Sequence, residues 1–139
     1  MKVLFIDTHD ELLTVDLVID GRENKKEVES INSHSVMLLP LIDSMLKEEN
    51  ISLRDINKIV VVNGPGSFTG VRIGLTVAKT IGYALNIPVC PISSLEAYLI
   101  SNDKISFKSA FSSISTIKYS YKYAKSIYIE NELNKYWYK

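Results

Sequence analysis

The residues whose types and spacing could support chemistry lie in two short stretches of the chain. Asp7 and Thr8 directly follow an apolar run at residues 3–6, and a glycine-rich loop at residues 63–70 follows a second apolar run at residues 58–62. A loop that joins a buried strand to a helix can bind an anion, because the first backbone N–H groups of the helix have no partner within it. The candidate anion-binding or nucleotide-binding residues are Asp7, Thr8, Gly64, Gly66, Ser67, Thr69 and Arg72.

These candidates also have a structural interpretation. The loop fails the two best-known phosphate-loop patterns, since Thr69 stands where one needs a glycine and Gly70 comes one position too late for the other. Asp7 can instead accept hydrogen bonds within a turn at residues 8–10, and Arg72 can hold the loop by hydrogen bonds. We favour the structural interpretation for both residues.

No cluster of catalytic or metal-binding residues is indicated elsewhere in the sequence. His9 and His34 are far apart and lack the spacing of paired metal ligands. The acidic pairs at residues 27 and 29 and at residues 48 and 49 fall on a predicted edge strand and a helix end, where solvation explains them. We therefore predict no catalytic residue and no metal ligand, and we place His34 at the surface or in a partner contact.

Small residues recur every four positions after the glycine loop and form one flat ridge on the predicted helix. Each glycine costs roughly 0.5–1 kcal/mol in a helix interior relative to alanine, so another backbone is expected to approach the ridge closely. That backbone belongs either to the chain's own sheet or to a helix of a partner chain. The predicted partner interface combines this ridge with the preceding helix and comprises His34, Leu38, Met45, Gly70, Gly74, Ala78 and Gly82.

The composition favours a folded domain with a distinct tail. The 139 residues carry 16 basic and 16 acidic side chains, but residues 103–139 hold seven basic and three acidic ones, and six of the eight tyrosines. No apolar run reaches the roughly 18 residues that a membrane-spanning helix needs, and the single cysteine, Cys90, is expected to be a small core residue. We expect a cytoplasmic protein with its first domain at residues 1–102. The tail either binds RNA through lysines and tyrosines or forms a lysine-rich edge hairpin.

Hydrophobic periodicity and turn residues predict the elements that position all these side chains. Strands are predicted at residues 3–6, 12–19, 23–30, 58–62 and 87–92, and helices at residues 33–50, 71–85 and 93–100, the second capped by Ser67 or Thr69. The buried face of the first helix is predicted to hold Val36, Leu38, Leu39, Ile42, Met45 and Leu46. Three strands followed by alternating helices and strands predict a mixed α/β sheet with helices on its faces.

Four groups of residues, in this order and spacing, are similar to a known family. They are Ile6-Asp7-Thr8, His34-Ser35 with Leu38-Leu39-Pro40 and Ile42-Asp43, the stretch from Gly64 to Gly74, and Pro91 to Glu96. Residues 1–102 thereby resemble the TsaB family of bacterial tRNA threonylcarbamoyladenosine factors. The resemblance implies an actin-like or ribonuclease-H-like domain with the sheet order 3-2-1-4-5. It also implies a non-catalytic partner of TsaD that acts, with the ATPase TsaE, in placing a threonylcarbamoyl group on adenosine 37 of tRNA.

Two alternative functions remain open beside this one. In the wider actin-like superfamily an aspartate at the end of the first strand faces the phosphates and metal of ATP. The resemblance therefore also implies an ATPase-like alternative in which Asp7, Thr8 and the loop at residues 64–70 bind ATP and magnesium. The second alternative is an RNA-binding module that works through the basic tail.

The chain departs from the family in two respects. Val36 stands where a glutamate is usual, and residues 103–139 stand where the family has a longer second domain. We expect the tail to be a hairpin-like remnant of that domain, and a truncated or frame-shifted gene is the other explanation. A homodimer is expected when no partner is present, because a surface that meets a similar subunit can also meet itself.

Overall fold

The structure describes the first two thirds of the chain. The structure is a computed structural model that describes residues 1–95. The predictions for the tail at residues 103–139, including its hairpin and its RNA contact, lie outside these residues. The strands are β1 (Lys2–Asp7), β2 (Leu12–Ile19), β3 (Arg22–Glu29), β4 (Lys58–Val62) and β5 (Val89–Ile92). The helices are α1 (His34–Glu48) and α2 (Phe68–Leu85), with a short 3-10 turn at Leu53–Asp55. Within residues 1–95, no helix combines the length and the apolar character needed to cross a membrane.

The five strands form one mixed sheet in the order β3-β2-β1-β4-β5. β2 pairs antiparallel with both β1 and β3, whereas β4 lies parallel to both β1 and β5. The connection from β3 to β4 contains α1 and that from β4 to β5 contains α2, as crossovers to parallel strands require. The predicted sheet order is confirmed, and β2 and β4 have the predicted bounds.

The hairpin of β2 and β3 forms a charged edge of the sheet. Asp20 and Gly21 occupy its turn with φ angles of 50° and 81°, the left-handed conformation that such a tight turn requires. Every residue of β3 is at least partly exposed. Arg22 and Lys26 of this strand form ion pairs with Glu49 and Glu48 at the end of α1. The predicted polar edge strand is therefore confirmed.

Both helices pack on one face of the sheet and enclose the larger core cluster. This cluster includes Leu4, Ile6, Leu13, Val15, Leu17, Leu38, Ile42, Met45, Leu46, Ile59, Val61, Ala78 and Ile81. Four of the six residues predicted for the buried face of α1 belong to it, but Val36 and Leu39 are 73% and 51% exposed. The predicted buried face was too wide, because one helix covers only the stripe that meets the sheet.

A second apolar cluster lies on the opposite face of the sheet. It consists of Val3, Phe5, Val18, Val60, Val62, Cys90 and Ile92. Successive residues of β1 therefore alternate between the two clusters, as the pleat of a strand dictates. Cys90 is a buried free cysteine in this cluster, which confirms its predicted place in the core.

Candidate functional site

The turn that follows β1 is held by the last residue of the strand. Asp7 Oδ1 accepts a hydrogen bond from the backbone N–H of His9 at 3.0 Å and lies 2.6 Å from His9 Nδ1. Both side chains are buried, with 2% and 8% of their surface exposed. The Asp7 carboxylate thus organises the turn at residues 8–10, as the structural interpretation of this residue describes.

The His9 side chain carries a shifted pKa. Burial alone would lower the pKa, but the hydrogen bond to Asp7 and the charges of Asp7 and Asp10 outweigh it, so the pKa of His9 lies above its ordinary value of 6.5. His9 Nε2 is 3.6 Å from Asp10 Oδ2, which places the imidazole between two carboxylates. The protonated imidazolium form is favoured in this position.

The glycine loop and the start of α2 pack directly on this turn. A Cβ added to Gly66 or Gly70 would lie closer than 3.0 Å to a backbone oxygen of the turn, that of His9 or Thr8 respectively. The Ser67 backbone N–H donates to the His9 carbonyl oxygen at 2.7 Å, and the Thr8 hydroxyl donates to the Gly70 carbonyl oxygen at 2.5 Å. The space next to the Cα atoms of Gly66 and Gly70 is thus filled by the chain itself.

Further local features fix the conformation of the loop. Gly64 has a φ angle of 102°, so the loop conformation itself requires glycine there. Ser67 caps α2 by accepting a hydrogen bond from the Gly70 backbone N–H, as predicted, whereas Thr69 is exposed. The Ser94 hydroxyl donates to the Pro65 carbonyl oxygen and fastens the loop from the side of β5. Sequence reasoning missed this contact, because Ser94 follows Pro65 by 29 residues.

These contacts bear on the predicted nucleotide site. Asp7 is engaged by His9, Thr8 donates to Gly70, and Gly66 and Gly70 lie against backbone oxygens of the turn. Gly66, Ser67 and Thr69 are exposed to solvent. Asp7 and Thr8, two of the side chains predicted to bind ATP and magnesium, are thus already used for contacts within the chain.

The ridge of small residues on α2 packs against the chain's own sheet. A Cβ added to Gly74 would lie closer than 3.0 Å to the Thr8 hydroxyl oxygen, and one added to Gly82 would meet Val89 equally closely. Ala78 is completely buried in the larger core cluster. Of the two explanations that the sequence leaves open for the ridge, these contacts correspond to the intramolecular one.

The predicted interface residues of α1 are also buried. Leu38 and Met45 have no exposed surface and belong to the core, and His34 is only 6% exposed. His34 Nε2 lies 2.6 Å from the Asp10 carbonyl oxygen and ties the start of α1 to the turn after β1. The expectation of His34 at the surface is thus corrected, because the side chain points into the fold, and none of these three residues presents a surface to a partner.

The exposed side of the two helices carries the apolar residues that the sequence analysis did not assign to a partner contact. We call Val36, Leu39, Phe68 and Tyr83 the outer helix face; they are 73%, 51%, 75% and 93% exposed. Beside them, a groove of about 400 Å³ is lined by Ser35 of α1 and by Phe68, Ile73 and Val77 of α2, among others. A sequence signal for this exposed surface was available: α1 has more apolar residues than one buried face of a helix can hold.

Arg72 also belongs to this exposed side. Its guanidinium group lies 4.9 Å from the centre of the Phe68 ring, which is cation–π geometry. It stacks on an exposed ring, so the prediction that Arg72 holds the glycine loop by hydrogen bonds is corrected. Arg72 thus adds a charged group to an otherwise apolar surface.

Comparisons with known proteins agree with the fold and the motifs. Residues 28–111 match the family described as "TsaD: tRNA N6-adenosine threonylcarbamoyltransferase". The tRNA threonylcarbamoyladenosine biosynthesis protein TsaB of Bacillus subtilis is 43% identical over 100 residues, which are 69% of this chain and 42% of that protein. The chain thus spans less than half the length of this curated relative.

Solved structures give the same result for the fold. YeaZ from Pseudomonas aeruginosa superimposes with a TM-score of 0.70 and 32% identity over 73% of this chain and 47% of that one. RuvC from Thermus thermophilus superimposes with a TM-score of 0.52 and 11% identity over 78% of this chain and 75% of that one, which is a likeness of fold alone. The fold is the predicted actin-like or ribonuclease-H-like one. Taken with the sequence motifs that run from Ile6 to Glu96, these matches establish that the chain belongs to the TsaD family and, within it, to the TsaB group.

Proposed function

We propose that this chain is a non-catalytic subunit that pairs with a TsaD protein in the synthesis of threonylcarbamoyladenosine in tRNA. The family match and the name of the Bacillus subtilis relative support the pathway. The observation that carries the pairing is the outer helix face, which exposes four large apolar side chains on one layer of the fold. Large apolar side chains that are exposed on one side of a fold are a feature of protein interaction sites.

The outer helix face suits a partner of related fold. The match to the TsaD family covers residues 28–111 and so includes both α1 and α2. A TsaD protein is therefore expected to have a corresponding pair of helices, and two such pairs can pack face to face. The groove beside Phe68 offers a place for a side chain of the partner, and Arg72 offers a charge at its rim. By the same reasoning the chain forms a homodimer when no TsaD is present.

The proposal assigns the chain a supporting role rather than a catalytic one, because the residues of the candidate site make contacts within the chain. Asp7, Thr8 and the glycine loop hold the turn and the start of α2 in place. In this proposal they keep the two helices in the orientation that the partner recognises, and chemistry takes place on TsaD. TsaE and the tRNA are further members of the proposed assembly, and they rest on the family resemblance alone.

The test is to mix the full chain with the TsaD protein of the same organism and measure complex formation by size-exclusion chromatography with light scattering. The variant Leu39→Glu places a charge on the outer helix face and is expected to weaken the complex at least about tenfold, since an unpaired charge is costly to bury. Lys26→Gln on β3 is the matched control, because it changes the net charge by the same amount on the edge strand and removes only an ion pair with Glu48 at the end of α1.

Two results would contradict the proposal. The first is that the unmodified chain and TsaD stay separate at micromolar concentration while both are folded. The second is that Leu39→Glu and Lys26→Gln bind TsaD equally well. Threonylcarbamoylation of tRNA by TsaD and TsaE, measured with each variant, would show whether the pairing supports the reaction.

A further inference from the structure

Two positively charged side chains lie among the apolar residues that α2 contributes to the outer helix face. Arg72 follows Phe68 by four residues and Lys79 precedes Tyr83 by four, so all four recur at helical spacing along one stripe of α2. All four side chains are exposed. The outer surface of α2 therefore carries two cations between two aromatic rings.

Neither cation is neutralised within residues 1–95. The 18 residues of α2 include no aspartate and no glutamate. The two acidic residues of α1, Asp43 and Glu48, already form ion pairs with lysines. In this part of the chain, no ion pair involves Arg72 or Lys79. The positive charges of the outer surface are thus available to a partner.

The position of Arg72 suits it for binding a carboxylate. Its guanidinium carbon lies 4.9 Å from the centre of the Phe68 ring, so the planar group is held against the ring. The other residues that line the groove of about 400 Å³ beside it are uncharged, and they include Ile73 and Val77. A stacked guanidinium group still presents N–H donors at its edge, and these match the two oxygens of a carboxylate. The groove and its rim thus fit an apolar side chain with a carboxylate next to it.

We propose that the outer helix face selects an acidic partner: the TsaD surface that packs on it carries carboxylates opposite Arg72 and Lys79, and the same two cations disfavour pairing of the chain with itself. This inference rests on the proposed pairing with TsaD and specifies the chemistry of the partner's surface. In a twofold pair of identical chains, the same stripe of α2 occurs on both sides of the contact, so like charges are brought together. A partner that carries carboxylates replaces this repulsion with attraction.

Salt dependence separates the two kinds of pairing, because dissolved ions screen attraction and repulsion alike. The affinity of the full chain for TsaD is measured by isothermal titration calorimetry and its self-association by sedimentation equilibrium, each at about 50 mM and about 500 mM sodium chloride. We expect binding to TsaD to weaken about tenfold across this range, whereas self-association becomes tighter. Binding to TsaD that is insensitive to salt, or self-association that weakens with salt, would overturn the proposal.

Single substitutions assign the effect to the two cations. Arg72→Gln should weaken binding to TsaD about tenfold and Lys79→Gln about threefold, and neither should weaken self-association. Arg72→Lys keeps the charge but loses the planar group that stacks on Phe68, so it should weaken binding to TsaD only about threefold. Lys26→Gln is the control, because it removes one positive charge from β3 and should change neither affinity.

The outcomes distinguish this inference from the proposed function. If the unmodified chain does not bind TsaD at either salt concentration, the pairing itself is wrong. If the unmodified chain binds but Arg72→Gln and Lys26→Gln bind equally well, the pairing stands and the acidic partner surface is wrong. If Arg72→Gln weakens binding to TsaD and self-association by the same factor, Arg72 packs in both contacts and does not select between them, which also overturns the proposal.

Discussion

The inner and outer sides of the two helices differ in how closely other parts of the chain pack against them. On the inner side, Gly70, Gly74 and Gly82 let the backbone of α2 approach the turn and the sheet so closely that a single methyl group has no room. On the outer side, Phe68 and Tyr83 of the same helix are more than 70% exposed. The inner side has no spare space, and the outer side has apolar surface without a cover in the described residues.

This difference shows how the ridge of small residues on α2 should be interpreted. A ridge of glycines shows that something comes close, but it does not show whether the neighbour is the same chain or another. In this fold the close neighbours are the turn after β1 and the strand β5, and the large apolar residues Phe68 and Tyr83 face outward on α2. The partner surface is therefore expected where bulky apolar side chains are exposed, which is the outer helix face.

The strongest test of the comparison adds one methyl group to the inner side. In Gly70→Ala the new Cβ would lie closer than 3.0 Å to the Thr8 carbonyl oxygen, so backbone atoms must move. Overpacking typically costs about 1–3 kcal/mol, and a clash with backbone lies at the upper end, so we expect a loss of about 3 kcal/mol or more in the free energy of unfolding. Urea unfolding followed by circular dichroism measures it. Thr80→Ala, at an exposed position of α2, should change stability by less than about 0.5 kcal/mol.

The second test removes a ring from the outer side. Phe68→Ala should leave the free energy of unfolding within about 0.5 kcal/mol of the original, because the ring is 75% exposed. The same change should weaken binding to TsaD by about 2 kcal/mol, or roughly 30-fold, if Phe68 is an anchor residue of the interface. Isothermal titration calorimetry gives the affinity. If Phe68→Ala lowered the free energy of unfolding but left the affinity for TsaD unchanged, Phe68 would belong to the packed interior and not to the partner surface.

The third test acts on the turn that holds the inner side in place. Because the pKa of His9 is raised in the folded chain, its stabilising contribution is fully present below about pH 6.5 and is lost as the pH rises through the raised value. His9→Gln removes the charged hydrogen bond to Asp7 and should cost about 1.5 kcal/mol at low pH. Urea unfolding at a series of pH values should show the stability of the original chain approaching that of the variant as the pH rises. Parallel curves would contradict the assignment.

The smallest effect is expected for a charge on the solvent side of α1. Lys47 Nζ lies 2.7 Å from Asp43 Oδ2, four residues earlier, and both side chains are more than 60% exposed. Asp43→Asn should therefore change the free energy of unfolding by less than about 0.5 kcal/mol, and by still less at high salt. A larger effect in urea unfolding would mean that exposed polar groups of α1 contribute substantially to the stability of the fold, contrary to this expectation.

Much of the fold could be predicted from local sequence. The runs at residues 12–19 and 58–62 are long, apolar and bounded by turn residues, and they became β2 and β4 with the predicted bounds. Asp20 and Gly21 specify a tight turn by their conformational preferences, so the hairpin was also accessible. The start of α2 was harder to predict, because Phe68 and Thr69 follow the glycine loop directly but already belong to the helix.

The candidate site was harder to predict, because its contacts join residues that are distant in the sequence. The bond from Thr8 to Gly70 spans 62 residues, and the contact from His34 to the Asp10 carbonyl spans 24. No spacing rule connects such pairs. The role of Asp7 was predictable for the opposite reason, since its partner His9 is only two residues away.

The charged edge strand β3 has a consequence for how copies of this chain can associate. Lysines and glutamates along an exposed strand discourage another strand from adding to the sheet by backbone hydrogen bonds. Growth of the sheet past this strand, the first step toward fibrils, is thereby blocked at this end. In the proposed association through the outer helix face, two copies related by a twofold axis would bury the same surface and leave none for a third. A charged edge strand together with such a face would favour closed pairs over open-ended polymers.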